Sequence, residues 1–436
     1  MTETSSTSRL GTTKSPEQLC MERSQRFTDA LNLKQPDRIP LLITLGYLLA
    51  EMGEMVRLEI YENPKKANAV LLQSAIRFQP DNISGPLGSP APSRILGDQS
   101  TKWPGYGLGP DGSFQYNEQE FMKAGDYDDF LEDPADWSLR TFLPRVFTEL
   151  EGLSLLPPVG FAALGYYAVV SGLGVFNDPR MMKTLQAISK AAQAAAEFGV
   201  EAVEGVKQLA AAGFPQIPWY GPGARCVMLL APFDFMSDTL RGMRGIFTDM
   251  RRQPDKLLAA EVKASNLQLK CAVTAKANMP ASAEKVFAYF PLHRGDDNFM
   301  SIAQFERFYW PQLKDLFLKL IDNGITPFVF YEGQWNNRLK YIAELPKGKT
   351  AAHFHNTDIF KAKEIVGETA CIVGGMPVSL LAGGTPAEVR ERTKKVCEVC
   401  GKGGGFIMTT GTLELEGCNP DLVQVWADAT REFGQY

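Results

Sequence analysis

The chain holds three histidines, and each lies at the end of a short apolar run. The run Lys285–Phe290 leads into His293-Arg294-Gly295-Asp296-Asp297, and Thr350–Phe354 carries His353 and continues into His355-Asn356-Thr357-Asp358. Residues i and i+2 of a strand share a face, so His353 and His355 are able to converge on one point. Glu332 closes the preceding run, Thr326–Tyr331. Two imidazoles and a carboxylate suit zinc or another divalent ion, with a position left for substrate. The same three side chains could instead hydrogen-bond a substrate with no metal present.

His293 reads as a general acid or base, because imidazole titrates near neutral pH. Arg294 and Asp296 beside it are candidates for substrate binding; the alternative is a solvated loop turned by Gly295. Asp234 stands among Pro232, Phe233 and Phe235, where burial would raise its pKa and make it a second catalytic candidate. Asp238 reads as a helix cap. Aromatic residues near the expected site (Trp219, Tyr220, Tyr331 and Trp335) would suit an apolar substrate or serve as ordinary packing. Cys397 and Cys400 fall at a helix C-terminus, where the dipole disfavours a thiolate. Cys418, in the loop after the last strand, is the better-placed thiol.

The elements that must position these residues alternate. Helices are expected from Asp178-Pro179 to about Ala212, from Pro254 to about Asn278, over Ser301–Asn323 up to Gly324, over Asp358–Val366, from Thr385-Pro386 to about Cys400, and over Pro420–Phe433. Between them, Lys285–Phe290, Thr326–Tyr331, Thr350–Phe354, Ala370–Val373 and Phe406–Thr409 read as strands. Such succession argues for a parallel sheet with crossover helices. A dinucleotide fingerprint between strand and helix is absent, as is a phosphate-binding loop of the Walker type. The expected fold is therefore a (β/α)8 TIM-type barrel whose first strand lies near Arg38–Leu45, with chemistry at the C-terminal ends of the strands. Residues 1–20 read as a flexible tail and residues 21–436 as one barrel domain. A loop-rich insertion, about residues 84–150, would cap it.

Composition narrows the class. Lysine and arginine total 45 against 50 acidic residues, a net charge of −5, which gives no global attraction to nucleic acid or to anionic membrane. Seven cysteines, an odd number, read as reduced thiols in a cytoplasmic protein. Gly152–Asn177 lacks charge but is broken by Pro157-Pro158 and several glycines. It reads as buried core or pocket wall and not as a membrane span.

Several strings resemble those of the uroporphyrinogen decarboxylase superfamily. They are Pro36-Asp37-Arg38-Ile39-Pro40, Gly375-Met376-Pro377-Val378-Ser379-Leu380-Leu381, Gly384-Thr385-Pro386-Ala387-Glu388-Val389 and Gly403-Gly404-Gly405-Phe406-Ile407. The resemblance implies a (β/α)8 barrel and one of two activities. The porphyrinogen decarboxylases carry an arginine-bearing string after the first strand, but Leu45-Gly46-Tyr47-Leu48-Leu49-Ala50 stands here. That departure points to the corrinoid-linked methyltransferase branch. Its zinc is held by a His-x-Cys pair and a distant cysteine; His353 matches the histidine, His355 stands where the first cysteine would be, and Thr412 where the second would be. Glu332, Glu414 or Glu416 could supply an oxygen ligand instead.

The resulting expectation is a methyltransferase that moves a methyl group between a small methylated substrate, such as a methyl ether, and a cobalamin. In this reading His353, His355 and Glu332 hold the metal, His293 and Asp234 are catalytic, and Arg294, Asp296, Tyr331, Trp335 and Cys418 bind substrate. The corrinoid comes from solution or from a separate corrinoid protein, since no Asp-x-His-x-x-Gly string is found; a homodimer stays open. The alternatives are a decarboxylase of a small carboxylate using Asp234 and Arg294, or a non-catalytic corrinoid or tetrapyrrole carrier.

Overall fold

The computed structural model describes residues 14–85, 88–158, 165–216, 226–279, 285–412 and 414–436. Ten strands run in chain order. They are β1 (Leu42–Thr44), β2 (Asn82–Ser84), β3 (Thr101–Lys102), β4 (Gln115–Tyr116), β5 (Cys226–Met228), β6 (Val286–Leu292), β7 (Ile325–Tyr331), β8 (Ala351–Phe354), β9 (Cys371–Met376) and β10 (Phe406–Thr410). The last six form one parallel sheet in the order β10-β9-β8-β7-β6-β5. β1 pairs with β2 in parallel and is joined to β10 by a parallel bridge between Leu41 and Met408. β3 and β4 make a small antiparallel ribbon.

The chain is thus an α/β protein built on parallel strands. Its eight parallel strands stand side by side in the order β2-β1-β10-β9-β8-β7-β6-β5, and β2 and β5 share no ladder among the described residues. The expected helices occur as Pro179–Ala211, Pro254–Ala277, Ile359–Val366, Pro386–Cys400 and Pro420–Phe433. The helix expected over Ser301–Asn323 is interrupted by a widened, π-helical turn at Phe305–Tyr309 before it resumes as Trp310–Asp322.

Side-chain alternation sorts the strands' two faces. Phe287, Tyr289, Phe328, Phe330, Ala351, Cys371, Val373 and Ile407 form one buried cluster. The intervening Val286, Ala288, Phe290, Val329, Ala352 and Ile372 pack in a second cluster with the helices. Phe27, Ala30 and Leu31 of the helix Pro16–Leu31 complete the first cluster. That helix begins inside the segment read as a tail, because Ser15 and Gln18 form a reciprocal capping box. A second correction concerns the uncharged stretch. Gly165–Gly172 is helical but not buried: Tyr166 and Tyr167 are 79% and 85% exposed.

One ion cluster ties the start of the chain to the sheet. Asp81, fully buried, accepts from Arg26 at 2.9 Å, from both Arg38 Nη atoms at 2.7 Å, and from the Leu41 N–H at 2.9 Å. Arg26 also grips Asp37 with two 2.7 Å bonds. Removing one member of such a group strands the remaining buried charge, at a cost of about 3–5 kcal/mol. Asp81→Ala is therefore expected to lower the urea midpoint without changing the slope, by an amount in that range, and a neutral result would show that the cluster does not hold the first strand.

Candidate active site

The histidine-bearing rim lies where the parallel strands end. β6 delivers His293, β7 delivers Glu332 and β8 delivers His355, each just beyond its last strand residue. Asp234 follows β5 in the turn Pro232–Asp234, and Asp238 lies in the π-helical segment Phe235–Arg241. An open cavity at this end is lined by Tyr116, Glu118, Asp238, His293, Arg294, Asp296, Glu332, Gly333 and His355. Tyr116 and Glu118 come from the segment that contains the β3–β4 ribbon.

Asp234 organises the loop after β6. It is completely buried and accepts from the His293 N–H at 2.9 Å, the Arg294 N–H at 3.1 Å and the Tyr309 hydroxyl at 2.8 Å. Burial, with the nearby Asp238 charge, pushes its carboxyl up to about 7, against the opposing pull of His293 and those hydrogen bonds. Asp238 then holds the side chains that Asp234 has placed: His293 Nδ1 lies 2.6 Å from its Oδ2, and Arg294 Nε donates to its Oδ1 at 2.8 Å. Burial alone would lower the His293 pKa, but the Asp238 hydrogen bond and the charges of Asp234, Asp238 and Glu332 together raise it to about 9. The imidazole is consequently protonated at pH 7, with Nε2 facing Glu332 Oε2 at 3.8 Å. Arg294 is further neutralised by Glu118 at 2.7 Å.

The two histidines of β8 do share a face, yet they do not meet. His353 is buried one layer below His355 against Phe330, and its Nε2–H donates to the Thr410 carbonyl at 2.8 Å. Burial drops its pKa to about 4, leaving it neutral. His355 lines the cavity, its Nδ1 accepting from the Gly333 N–H at 3.2 Å, and burial lowers its pKa as well. Gly333 has a positive φ of +78°, and a Cβ there would come within 2.5 Å of Asp296. The sequence-derived ligand set His353, His355 and Glu332 is therefore not assembled. Among the described residues, Asp234, Asp238 and His293 are the group whose ligand-type atoms lie within 4.8 Å of one another.

Other expected site residues go elsewhere. Tyr331 points to the helix side and stacks on Phe354. Trp335 is fully buried, its Nε1–H donating to the Glu332 carbonyl at 2.8 Å. Both are packing: Tyr331, next to Glu332 at the strand end, faces the opposite way, and Trp335 lies in the same helix-side cluster. Cys418 is buried, and desolvation raises its thiol to about 11. Thr412 donates to the Glu414 carbonyl, and Glu416 pairs with Arg57 at 2.7 Å. Trp219 and Tyr220 lie outside the described residues. Arg294 and Asp296 do line the cavity.

Comparison with known proteins bears on this geometry. The family model described as uroporphyrinogen decarboxylase (URO-D) matches residues 175–433, more than half of the chain. The chain belongs to the uroporphyrinogen decarboxylase family. Among solved structures, it is similar to a methyltransferase from Methanosarcina mazei, at 14% sequence identity and a TM-score of 0.56, over 94% of this chain and 98% of that one. The likeness is one of fold. No curated protein sequence matches the chain.

The family match begins close to the helix Pro179–Ala211 and so takes in every residue of the Asp234–Asp238–His293 relay, but not Tyr116 or Glu118. The sequence reads Asp238 as a helix cap; its side chain instead holds His293 and Arg294, and its spacing of four from Asp234 was the available signal. Sequence reasoning missed Tyr309, and Glu261, which is buried with both carboxyl oxygens unpartnered and its pKa raised by burial and by Asp234. Glu118 carried no local signal, since it meets Arg294 from 176 residues away.

A raised histidine pKa contributes stability that is complete below the unfolded value, roughly 6.5, and is lost as pH rises through about 9. Asp238→Asn is expected to move the His293 midpoint down from about 9 towards roughly 6.5 in an NMR titration. The same variant should remove the pH-dependent stability between those values; an unchanged midpoint would show that Asp238 does not charge the imidazole.

Proposed function

We propose that the chain is a methyltransferase of the corrinoid-linked branch of its family, demethylating a small neutral substrate such as a methyl ether. The carrying observation is His293, held protonated by Asp238 and Asp234 at the rim of an open cavity. An alkoxide is a poor leaving group, and a positioned acid that delivers a proton to the departing oxygen lowers that barrier by a factor of about 10²–10⁴. In this reading His293 Nε2–H gives its proton to the ether oxygen as the carbon–oxygen bond breaks, and Asp238 steadies the ring through Nδ1. The corrinoid, free or on a separate protein, supplies the methyl-accepting centre. Tyr116 is 64% exposed and the Glu332 side chain 47%, so the cavity mouth faces solvent where such a partner would approach.

Zinc or another divalent ion fits the assembled donors poorly. Asp234 already accepts three hydrogen bonds, and Asp238 is shared between His293 and the Arg294 guanidinium. A cation at that point would have to displace a proton and sit beside a fixed positive charge.

The decarboxylase reading needs a free cation for the substrate's carboxylate. Arg294 is occupied by Asp238 and Glu118, and four acidic side chains line the cavity against two basic ones. That balance favours a neutral substrate over an anionic one. We also read the eight-strand array as a (β/α)8 barrel spanning residues 21–436, with the segment around 84–150 as its cap. The strand order, the inner cluster and the family match support it. Seven free cysteines suit a reducing, cytoplasmic setting.

Incubation with a methyl aryl ether and a reduced corrinoid should produce the methylcorrinoid absorption spectrum. His293→Gln should slow that change by about 10²–10⁴-fold, while a carboxylate substrate releases no CO₂; CO₂ release without methyl transfer would favour the lyase. Elemental analysis is expected to find equal metal in wild type, Asp238→Asn, His353→Ala and His355→Ala. A stoichiometric ion lost with Asp238→Asn would replace the proton donor by a Lewis acid.

A further inference from the structure

Glu118 reaches the candidate active site from outside the family-matched residues, and its segment is pinned there. The Met122 N–H donates to the Leu240 carbonyl at 2.7 Å. The buried Arg241 donates to the Met122 carbonyl and pairs with Glu120 and Asp249. Leu240 and Arg241 close the π-helical segment that carries Asp238, so Glu118 and Asp238 are tied to one another through the backbone. Glu118 Oε1 accepts from the Met243 N–H, and its Oε2 accepts from Arg294 Nη2 at 2.7 Å. One carboxylate is spent on both.

Arg294 has anchors besides Glu118. Its N–H is bound by Asp234 at 3.1 Å, and its Nε donates to Asp238 at 2.8 Å. Its guanidinium lies over the Phe299 ring, 5.2 Å from the centroid. These three contacts place the side chain, and Glu118 takes up Nη2 on the part of the fork that Asp238 leaves open. A guanidinium held in place with N–H groups to spare is a good receptor for a planar carboxylate. Glu118 therefore stands where the carboxylate of a ligand would bind, and both residues line the cavity that holds His293.

We propose that Glu118 is a specificity-determining residue: it fills the anion position on Arg294 and so reserves the cavity for uncharged ligands. The proposal deepens the functional reading above, since it rests on the same cavity, but it concerns binding and needs no methyl transfer. It also makes the capping segment, and not the barrel strands, the part that chooses the charge class of the ligand. With Glu118 neutral, the lining would carry Asp238, Asp296 and Glu332 against His293 and Arg294, and Arg294 would have an N–H group to offer. A small aromatic carboxylate is the ligand class that such a site would gain.

Fluorine NMR titration of the full chain tests this with 4-fluorobenzoate, using 4-fluoroanisole as the neutral probe. Glu118→Gln, which keeps an acceptor for the Met243 N–H, should bind 4-fluorobenzoate at least about tenfold more tightly than wild type, the worth of one charge-assisted hydrogen bond. Its affinity for 4-fluoroanisole should change little. The double variant Glu118→Gln/Arg294→Gln should lose the gain. The His293 midpoint should stay near about 9 in Glu118→Gln, showing that the loop after β6 keeps its place. Unchanged benzoate affinity, a gain that survives loss of Arg294, or a fallen His293 midpoint would each overturn the proposal. The benzoate titration reads binding alone, so a chain that transfers no methyl group still decides the role of Glu118.

Discussion

The site depends on one buried carboxylate. Asp234 accepts two successive backbone N–H groups, those of His293 and Arg294, and this clamps the chain at the point where β6 becomes a loop. With the backbone held there, the side chains of both residues meet Asp238. Tyr309, donating its hydroxyl from the π-helical turn Phe305–Tyr309, fills a further lone pair of the same carboxylate. Two widened helical turns thus flank the site, one carrying Asp238 and the other Tyr309. Such bulges re-aim side chains that regular helix spacing would turn away.

Much of the frame was legible because it follows local rules. β7, β8, β9 and β10 lie where short apolar runs stand between capped helices, and all three histidines lie at or just beyond strand ends. The face shared by His353 and His355 was also legible. The depth of each residue along the strand was not. Two positions apart on one face means one layer apart in height, which buries His353 under Phe330 and leaves His355 at the cavity. Alternation further explains why Tyr331 went astray: its aromatic character suits a mouth, but its parity turns it towards the helices. Glu118 and Tyr116 belong to a segment whose pairing is long-range, and no periodicity announces it.

Electrostatics then selects among chemistries that the fold alone would permit. Histidines of the same sheet have opposite fates: His293, ringed by carboxylates at the rim, is charged, whereas His353, buried one layer below, is neutral. The difference lies in the neighbours and not in the residue. The same acidic surroundings that hold the proton on His293 also silence Arg294 as an anion receptor. Such surroundings keep a proton on His293 and disfavour an anionic ligand.

The bridge between Leu41 and Met408 has a consequence for how the chain is made. The first strand finds one of its two neighbours only after the last strand has left the ribosome, a delay of roughly 20–70 s at ordinary elongation rates. Throughout that interval Leu41, Ile43 and Leu45, all buried in the finished molecule, have an open edge beside them. Synthesis from the N-terminus therefore cannot complete this sheet progressively; the array closes on β1 only when the last strand has emerged.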